Sequence, residues 1–361
     1  MKTLYTHLKT SNVSIPCHIG LGLWRQLDEY LLANFSGHQI FVIADSNLVR
    51  LYSASTRALK SECQWLEFPA GEAAKCREQK AELENELLKR NAGRDSVIVA
   101  LGGGVTGDLA GYIAATLHRG IPLIQMPSSL LAQVDSSIGG KVGINHPQGK
   151  NLLGAFNHPA AIFSDISLLR SLPDEELFNG MAEVIKYAVI LDDGLWELLE
   201  EESEAICRRD SNILEKVITR CAKLKIEIVE ADEREAGHRS LLNWGHTVGH
   251  AIEKLSEYKI KHGFAIAAGM LVAAALSHTR LGYPERRVER LVKLLKTYHL
   301  TTVDIEAFSL EAIWNAIRSD KKARQQQPRF TLMASPGKPE LFYPIERQEL
   351  EHALKAARNM C

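Results

Sequence analysis

The sequence predicts an α/β domain built on a parallel sheet, followed by a mainly α-helical domain. Three observations predict it. The chain has 361 residues, 45% of them hydrophobic and 24% charged, enough to bury two cores. Its first half alternates short β-branched runs with helical patterns, as a parallel sheet with crossover helices requires. From Leu172 onward the pattern becomes helix after helix, opened by Ser171-Leu172-Pro173-Asp174, where a proline and an acid suit a helix start. The division is expected at residues 1–171 and 172–361.

Within the first part, Gln39 to Ala44 (QIFVIA) and Ser96 to Leu101 (SVIVAL) read as buried strands, with a Glu-, Lys-, Leu- and Ala-rich helix from Ala73 to Asn91 between them. A third apolar run, Pro122 to Met126, leads into Pro127-Ser128-Ser129 and then a Gly-rich stretch reaching Gly154. With so little periodicity over so long a stretch, this segment reads as an irregular binding region. Helices are expected at Glu175 to Leu191, Leu195 to Cys207, Ser211 to Glu230, around His246 to Leu255, and at Gly263 to Leu281. Gln325-Gln326-Gln327 reads as a surface loop.

Lys plus Arg number 43 and Asp plus Glu 44, so no global positive field favours nucleic acid or an anionic membrane, and any anion site must be local. The six cysteines form no C-x-x-C pair and read as reduced thiols in a cytoplasmic protein. The N-terminal segment alternates polar and apolar residues without a signal-like apolar block, and no long uninterrupted apolar run reads as a membrane span.

Directly after SVIVAL comes Gly102-Gly103-Gly104-Val105-Thr106-Gly107-Asp108, a G-x-G-x-x-G match that runs into a helical pattern. Glycines there let backbone approach a phosphate, and the helix start supplies unpaired N–H groups. The same glycines would also serve a tight turn that needs close packing. An ordinary dinucleotide fold adds an acid at the end of the next strand, but here that region reads Met126-Pro127-Ser128-Ser129. Asp45, after QIFVIA, is the alternative ribose partner.

His246 and His250 are four apart and share a helical face, with His262 further on. The spacing resembles H-E-x-x-H sites but lacks the Glu, so a zincin reading fails, and paired core or surface histidines remain an alternative. Glu183 and Lys186 lie three apart in an otherwise apolar helix, where both need partners and a metal would supply one. Asp135 and Lys141 in QVDSSIGGK, with Lys150 and Asn151 in HPQGKN, offer what a phosphorylated sugar requires, although such residues are also common in solvated loops.

The run from Gly102 to Phe156, the segments GMAEVIKYAVILD and EADEREAGHRSLLNWGHTVGHAIE, and Asp320-Lys321-Lys322 together resemble the 3-dehydroquinate synthase family, over about Asp45 to Lys322. The resemblance implies a Rossmann-like NAD-binding α/β domain and an α-helical metal-binding domain enclosing the active site. It implies conversion of 3-deoxy-D-arabino-heptulosonate 7-phosphate to 3-dehydroquinate and phosphate, with NAD regenerated in each turnover and zinc, or cobalt, as the metal. It implies that Glu183, His246 and His262 hold the metal while His250 faces substrate. Expected NAD contacts are Asp45, Asn47, Glu72, Lys75, Gly103, Gly104, Asp108, Ser128, Ser129, Lys141 and Lys150. Expected substrate and catalytic residues are Asp135, Lys141, Lys150, Asn151, Lys186, Lys225, Arg239, Asn243, His250 and Lys321 or Lys322. Arg119 is expected to reach the phosphate site of a partner subunit in a homodimer. Three positions depart from the family pattern. Ser128-Ser129 stands for two threonines and keeps both hydroxyls, Val142 replaces a common Thr, and Phe264 replaces the usual Glu after His262-Gly263, which is expected to alter the surroundings of His262. Another sugar-phosphate cyclase and a metal-dependent polyol dehydrogenase are the alternative activities.

Overall fold

The structure is a computed structural model that describes residues 1–8, 12–58, 60–235, 237–319, 328–335 and 337–360. The chain forms two compact units, Met1–Leu172 with Leu214–Glu233, and Pro173–Ile213 with Arg234–Cys361.

The first unit contains β1 (Lys2–Leu8), β2 (Val13–Gly20), α1 (Trp24–Asn34), β3 (Gln39–Asp45), α2 (Ser46–Tyr52), β4 (Cys63–Phe68), α3 (Arg77–Lys89), β5 (Ser96–Gly102), α4 (Gly104–Thr116), β6 (Leu123–Pro127), β7 (Lys141–His146), β8 (Gly149–Phe156) and β9 (Ala161–Asp165). A seven-stranded sheet runs β1-β2-β9-β6-β5-β3-β4, and only β1 pairs antiparallel. β5 is buried along its whole length because helices cover both faces of the sheet. Its side chains alternate accordingly. Ile98 and Ala100 join the core with Leu83 and Leu87 of α3 and Leu109 and Ile113 of α4, whereas Val97, Val99 and Leu101 join Leu27 and Leu31 of α1. From β3 the chain steps to β4 on one side and then to β5 on the other, so the strand order reverses between β3 and β5. Ligands of open α/β sheets bind outside the carboxyl ends of strands at such a reversal.

Two expectations need correction here. The helix read as Ala73 to Asn91 starts at Arg77, because Glu72–Ala74 form a 3-10 turn and Cys76 is extended. The Gly-rich segment is more regular than its sequence indicates, with a short π-helical turn at Ala132–Ser136 and an antiparallel β7–β8 hairpin. Glycine hides the strand periodicity for a packing reason: a Cβ on Gly154 would lie 2.2 Å from the Val142 carbonyl oxygen, and one on Gly143 would lie 2.5 Å from that of Leu153.

The second unit holds α5 (Asp174–Leu191), α6 (Asp193–Glu201) and α7 (Ser203–Cys207). The next helix, α8 (Ser211–Ala231), lies mostly in the first unit. The chain then continues through α9 (His246–Leu255), α10 (His262–Leu281), α11 (Glu285–Thr297), α12 (Leu310–Arg318), β10 (Arg329–Ser335), β11 (Lys338–Pro344) and α13 (Arg347–Arg358). The helix expected at Leu195 to Cys207 is thus split, and the β10–β11 hairpin interrupts an otherwise helical unit. The expected second domain also loses Leu214–Glu233 to the first unit, where Lys225 pairs with Asp135 at 2.6 Å and Glu233 with His158 at 3.2 Å. α10 is long and apolar enough to cross a membrane, but 72% of its apolar window is buried in the unit's core. The described cysteines are all free thiols, and burial pushes that of Cys17 up to about 12. The Gln325-Gln326-Gln327 segment lies outside the described residues.

Candidate functional site

In the second unit α5 carries Glu183 and Lys186 on one face, and their side chains are 1% and 2% exposed. Burying two such charges is tolerable only if they are paired and hydrogen-bonded. Lys186 Nζ donates to Glu183 Oε2. Glu183 Oε1 has no hydrogen-bond partner among the described residues, although the Nε2 atoms of His246 and His262 lie 3.4 and 3.5 Å from it. Two ligand atoms each about 2.1 Å from a tetrahedral ion stand about 3.4 Å apart, so these spacings suit a divalent ion held by one oxygen and two imidazoles.

Both rings are oriented for that task. His246 Nδ1 donates to the Trp244 carbonyl oxygen at 3.1 Å, and His262 Nδ1 donates to Glu253 Oε2 at 3.3 Å, so both leave Nε2 towards Glu183. Burial alone would raise the Glu183 carboxyl, but Lys186, His246 and His262 hold it well below the usual carboxylate range. Burial, then the neighbouring Lys186 charge, lowers His246. For His262 burial works downward, yet Glu183 and Glu253 on either side push it up to about 10.

Three separate segments meet here because the helices approach closely. Gly263 has no room for a side chain, since a Cβ there would lie 2.0 Å from the Asn179 carbonyl oxygen, and its N–H donates to Asn179 Oδ1 at 2.6 Å. That contact ties the start of α10, where His262 sits, to the turn of α5 before Glu183. Gly269 similarly lies against Gly245, 2.0 Å from the would-be Cβ to the Gly245 carbonyl oxygen, and brings α9 and His246 against α10.

His250, on the same helix as His246, is not part of the trio around Glu183; its side chain is 41% exposed and its Nε2 is 4.0 Å from Glu253. Arg239 and Asn243 lie on the 3-10 segment His238–Asn243 that leads into α9, with Arg239 buried. Phe264 is half-buried in the first turn of α10, and Glu253, not residue 264, supports His262. Lys321 and Lys322 lie outside the described residues.

The first unit gathers a different cluster around the β3–β5 reversal. Asp45 at the end of β3 caps α2, accepting from the backbone N–H of Asn47 and Leu48. β5 ends at Gly102, and α4 begins two residues later with Gly103 as N-cap and no side chain capping its N–H groups. These groups and the helix dipole make an anion-binding end. Ser128 and Ser129 follow the adjacent strand, and the Ser129 hydroxyl is 3.3 Å from where a Gly103 Cβ would be. Lys75 Nζ, buried, donates to Asp108 Oδ2 and, at 2.6 Å, to Asn151 Oδ1. Asn145 extends the network, donating to Glu72 Oε1 at 2.8 Å and accepting from the Asn151 N–H at 3.1 Å. Asp135 accepts from Lys225 at 2.6 Å. Lys141 opens β7, Lys150 lies in β8, and Arg119 follows His118 through a left-handed turn with φ of 69° and 52°. Val142 packs on α4: its Cγ1 would be 2.4 Å from a Gly111 Cβ, an apolar contact that suits valine.

Sequence reasoning missed Asn145, Asn179 and Glu253. Glu253 follows His250 by three residues on one helical face, a spacing that could have singled it out. Asn145 and Asn179 left no comparable sign, since the contacts that matter at the sites, to Glu72 and to the Gly263 N–H, are distant in sequence.

Residues 65–179 match the 3-dehydroquinate synthase N-terminal family description, and residues 180–323 match the C-terminal one. A 3-dehydroquinate synthase of Desulforamulus reducens is 39% identical over 344 residues, covering 94% of this chain and 96% of its own. The chain belongs to the 3-dehydroquinate synthase family. Among solved structures, a 2-deoxy-scyllo-inosose synthase complexed with carbaglucose-6-phosphate, NAD+ and Co2+ is 26% identical with a TM-score of 0.87, covering 98% of this chain and 99% of its own. A 2-epi-5-epi-valiolone synthase from Streptomyces hygroscopicus, with NAD+ and Zn2+ bound, shares the fold at 24% identity and a TM-score of 0.88, covering 96% and 97% of the two chains.

Proposed function

We propose that this chain converts 3-deoxy-D-arabino-heptulosonate 7-phosphate to 3-dehydroquinate and phosphate, the second step of the shikimate pathway, with NAD and a divalent ion, zinc or cobalt. The observation that carries the metal assignment is Glu183 Oε1, a buried acceptor without a hydrogen bond among the described residues and flanked by two imidazole nitrogens. Bound NAD supplies a reversible hydride acceptor, and the bound ion supplies Lewis acidity at the oxidised hydroxyl.

Glu183, His246 and His262 would hold the ion through one carboxylate oxygen and two imidazole nitrogens. Lys186 keeps Glu183 ionised by donating to its other oxygen. Asp45, Asn47, Glu72, Lys75, Gly103, Gly104, Asp108, Ser128, Ser129, Lys141 and Lys150 bind NAD, its pyrophosphate at the start of α4. Arg239, with Lys321 or Lys322, pairs with the substrate carboxylate, where a planar guanidinium makes two parallel charge-assisted bonds. By the family resemblance Asn243, His250, Lys141 and Asn151 serve the substrate phosphate, and Lys150 contacts substrate as well as NAD. Asp135 and Lys225 orient substrate hydroxyls. Arg119 completes the phosphate site of a second subunit in a cytoplasmic homodimer.

The test is phosphate release from the heptulosonate with NAD and zinc present, followed together with nicotinamide absorbance. Phosphate should appear while NADH stays flat, because oxidation and re-reduction fall within one turnover. Stoichiometric NADH would support the polyol dehydrogenase alternative. Equal turnover of sedoheptulose 7-phosphate would support another cyclase, since that substrate has no carboxylate for Arg239 to bind. Arg239→Ala should lower kcat/KM for the acid by roughly 2 kcal/mol or more.

A further inference from the structure

Glu253 lies on α9, one turn after His250, and its side chain is only 5% exposed. A carboxylate buried to that degree needs strong partners. Its Oε2 is 3.3 Å from His262 Nδ1 and 4.0 Å from His250 Nε2. His262 therefore stands between two carboxylates, with Nδ1 towards Glu253 and Nε2 3.5 Å from Glu183 Oε1. A neutral imidazole has one N–H and one lone pair. In the neutral form that a metal ligand requires, giving the N–H to Glu253 leaves the lone pair on Nε2, on the side of Glu183 and His246. His246 reaches the same orientation through a neutral acceptor, the Trp244 carbonyl oxygen. Among the described residues, His262 alone of the two is backed by a charged one.

We infer that Glu253 is the positioning residue of this centre: it fixes the tautomer and ring orientation of His262, strengthens that imidazole as a metal ligand, and holds no ion itself. The inference rests on the proposed ligand set of Glu183, His246 and His262. The ligand atoms of His250, Glu253 and His262 also lie within 4.8 Å of one another, which raises the possibility of a second cation between them. Two features oppose it. His262 would have to offer lone pairs from both nitrogens, which a neutral imidazole lacks. The 4.0 Å between His250 and Glu253 also exceeds the roughly 3.4 Å edge of a tetrahedral zinc-sized site.

The experiment is a cobalt titration of the metal-free full-length chain, read by the visible absorption of bound cobalt, for the wild type and for Glu253→Ala, Glu253→Gln, His250→Ala and Glu183→Ala. Glu253→Ala should weaken cobalt binding about 10- to 100-fold, the usual effect of losing the partner of a ligating histidine. Glu253→Gln keeps an acceptor for Nδ1–H and should fall between alanine and wild type, and His250→Ala should bind as the wild type does. Thermal melting of each metal-free variant separates lost affinity from lost folding, and the glutamine variant carries the test if the alanine variant does not fold. Affinities within twofold of wild type for both Glu253 variants, beside a Glu183→Ala chain that no longer binds cobalt, would overturn the inference alone. A glutamine variant as weak as alanine would overturn the tautomer role. Unchanged binding in Glu183→Ala would overturn the ligand set beneath it.

Discussion

In the first unit Lys75 closes its charge locally, donating to Asp108 and to Asn151, and Asn145 links that group to Glu72. In the second unit Lys186 satisfies one oxygen of Glu183 and leaves the other facing two imidazoles without a hydrogen bond among the described residues. In the first arrangement the charges already meet one another, so a bound nucleotide must add to it or exchange bonds with it. The second holds a carboxylate oxygen that no hydrogen bond meets among the described residues, and a cation there would take the place of any proton held by His262. Preorganised polar groups cost little to engage and much to leave unmet, and the two regions lie on opposite sides of that rule.

The largest expected effect tests the incomplete region. Glu183→Ala leaves Lys186 buried without its carboxylate and should destabilise the metal-free chain by about 3–5 kcal/mol in urea denaturation. It should also lose zinc and turnover together. His246→Ala should lose metal by elemental analysis, whereas His250→Ala should retain it and lose activity; equal metal loss in both would contradict the assignment. A second test uses pH. Glu183 and Glu253 outweigh burial and raise the affinity of His262 for a proton, which an incoming ion must displace. Metal affinity should therefore rise with pH, by roughly tenfold per unit between about pH 6 and 8 in a cobalt titration, with proton release on binding. A flat affinity across that range would mean that His262 is already neutral or is not a ligand.

Lys75→Met tests the completed region. It removes a charged donor from Asp108 and Asn151 and should weaken NAD binding by about 2 kcal/mol in a fluorescence titration, with metal content unchanged. If metal content fell as well, the two regions would not be the separable systems described above. The smallest effect is expected for Val142→Thr, which places a hydroxyl in the apolar contact with Gly111 and should cost about 1 kcal/mol of stability by thermal melting.

Different parts of this architecture were legible to different degrees. QIFVIA and SVIVAL read as strands, and the glycine run after SVIVAL as a loop entering a helix, because strand, turn and helix there are contiguous and their periods are local. β7 and β8 were not legible, since Gly143 and Gly154 stand where the backbones touch and interrupt the alternation that marks a strand. α8 read correctly as a helix but not as part of the first unit, because helical periodicity shows which face is buried and not what covers it.

The sequence by itself determined the open sheet, the helix-entry glycines and the helical second half, and its resemblance to a family singled out Glu183, His246 and His262 as candidate ligands. Only the tertiary structure decided that these three atoms converge on one point, that both histidines turn Nε2 inward, and that Glu253 stands behind one of them. The reason is physical. A helix fixes neighbours three or four residues apart, whereas the approach of α5, α9 and α10 depends on a carbonyl fitting where Gly263 and Gly269 lack a side chain, a contact between segments that no local pattern encodes.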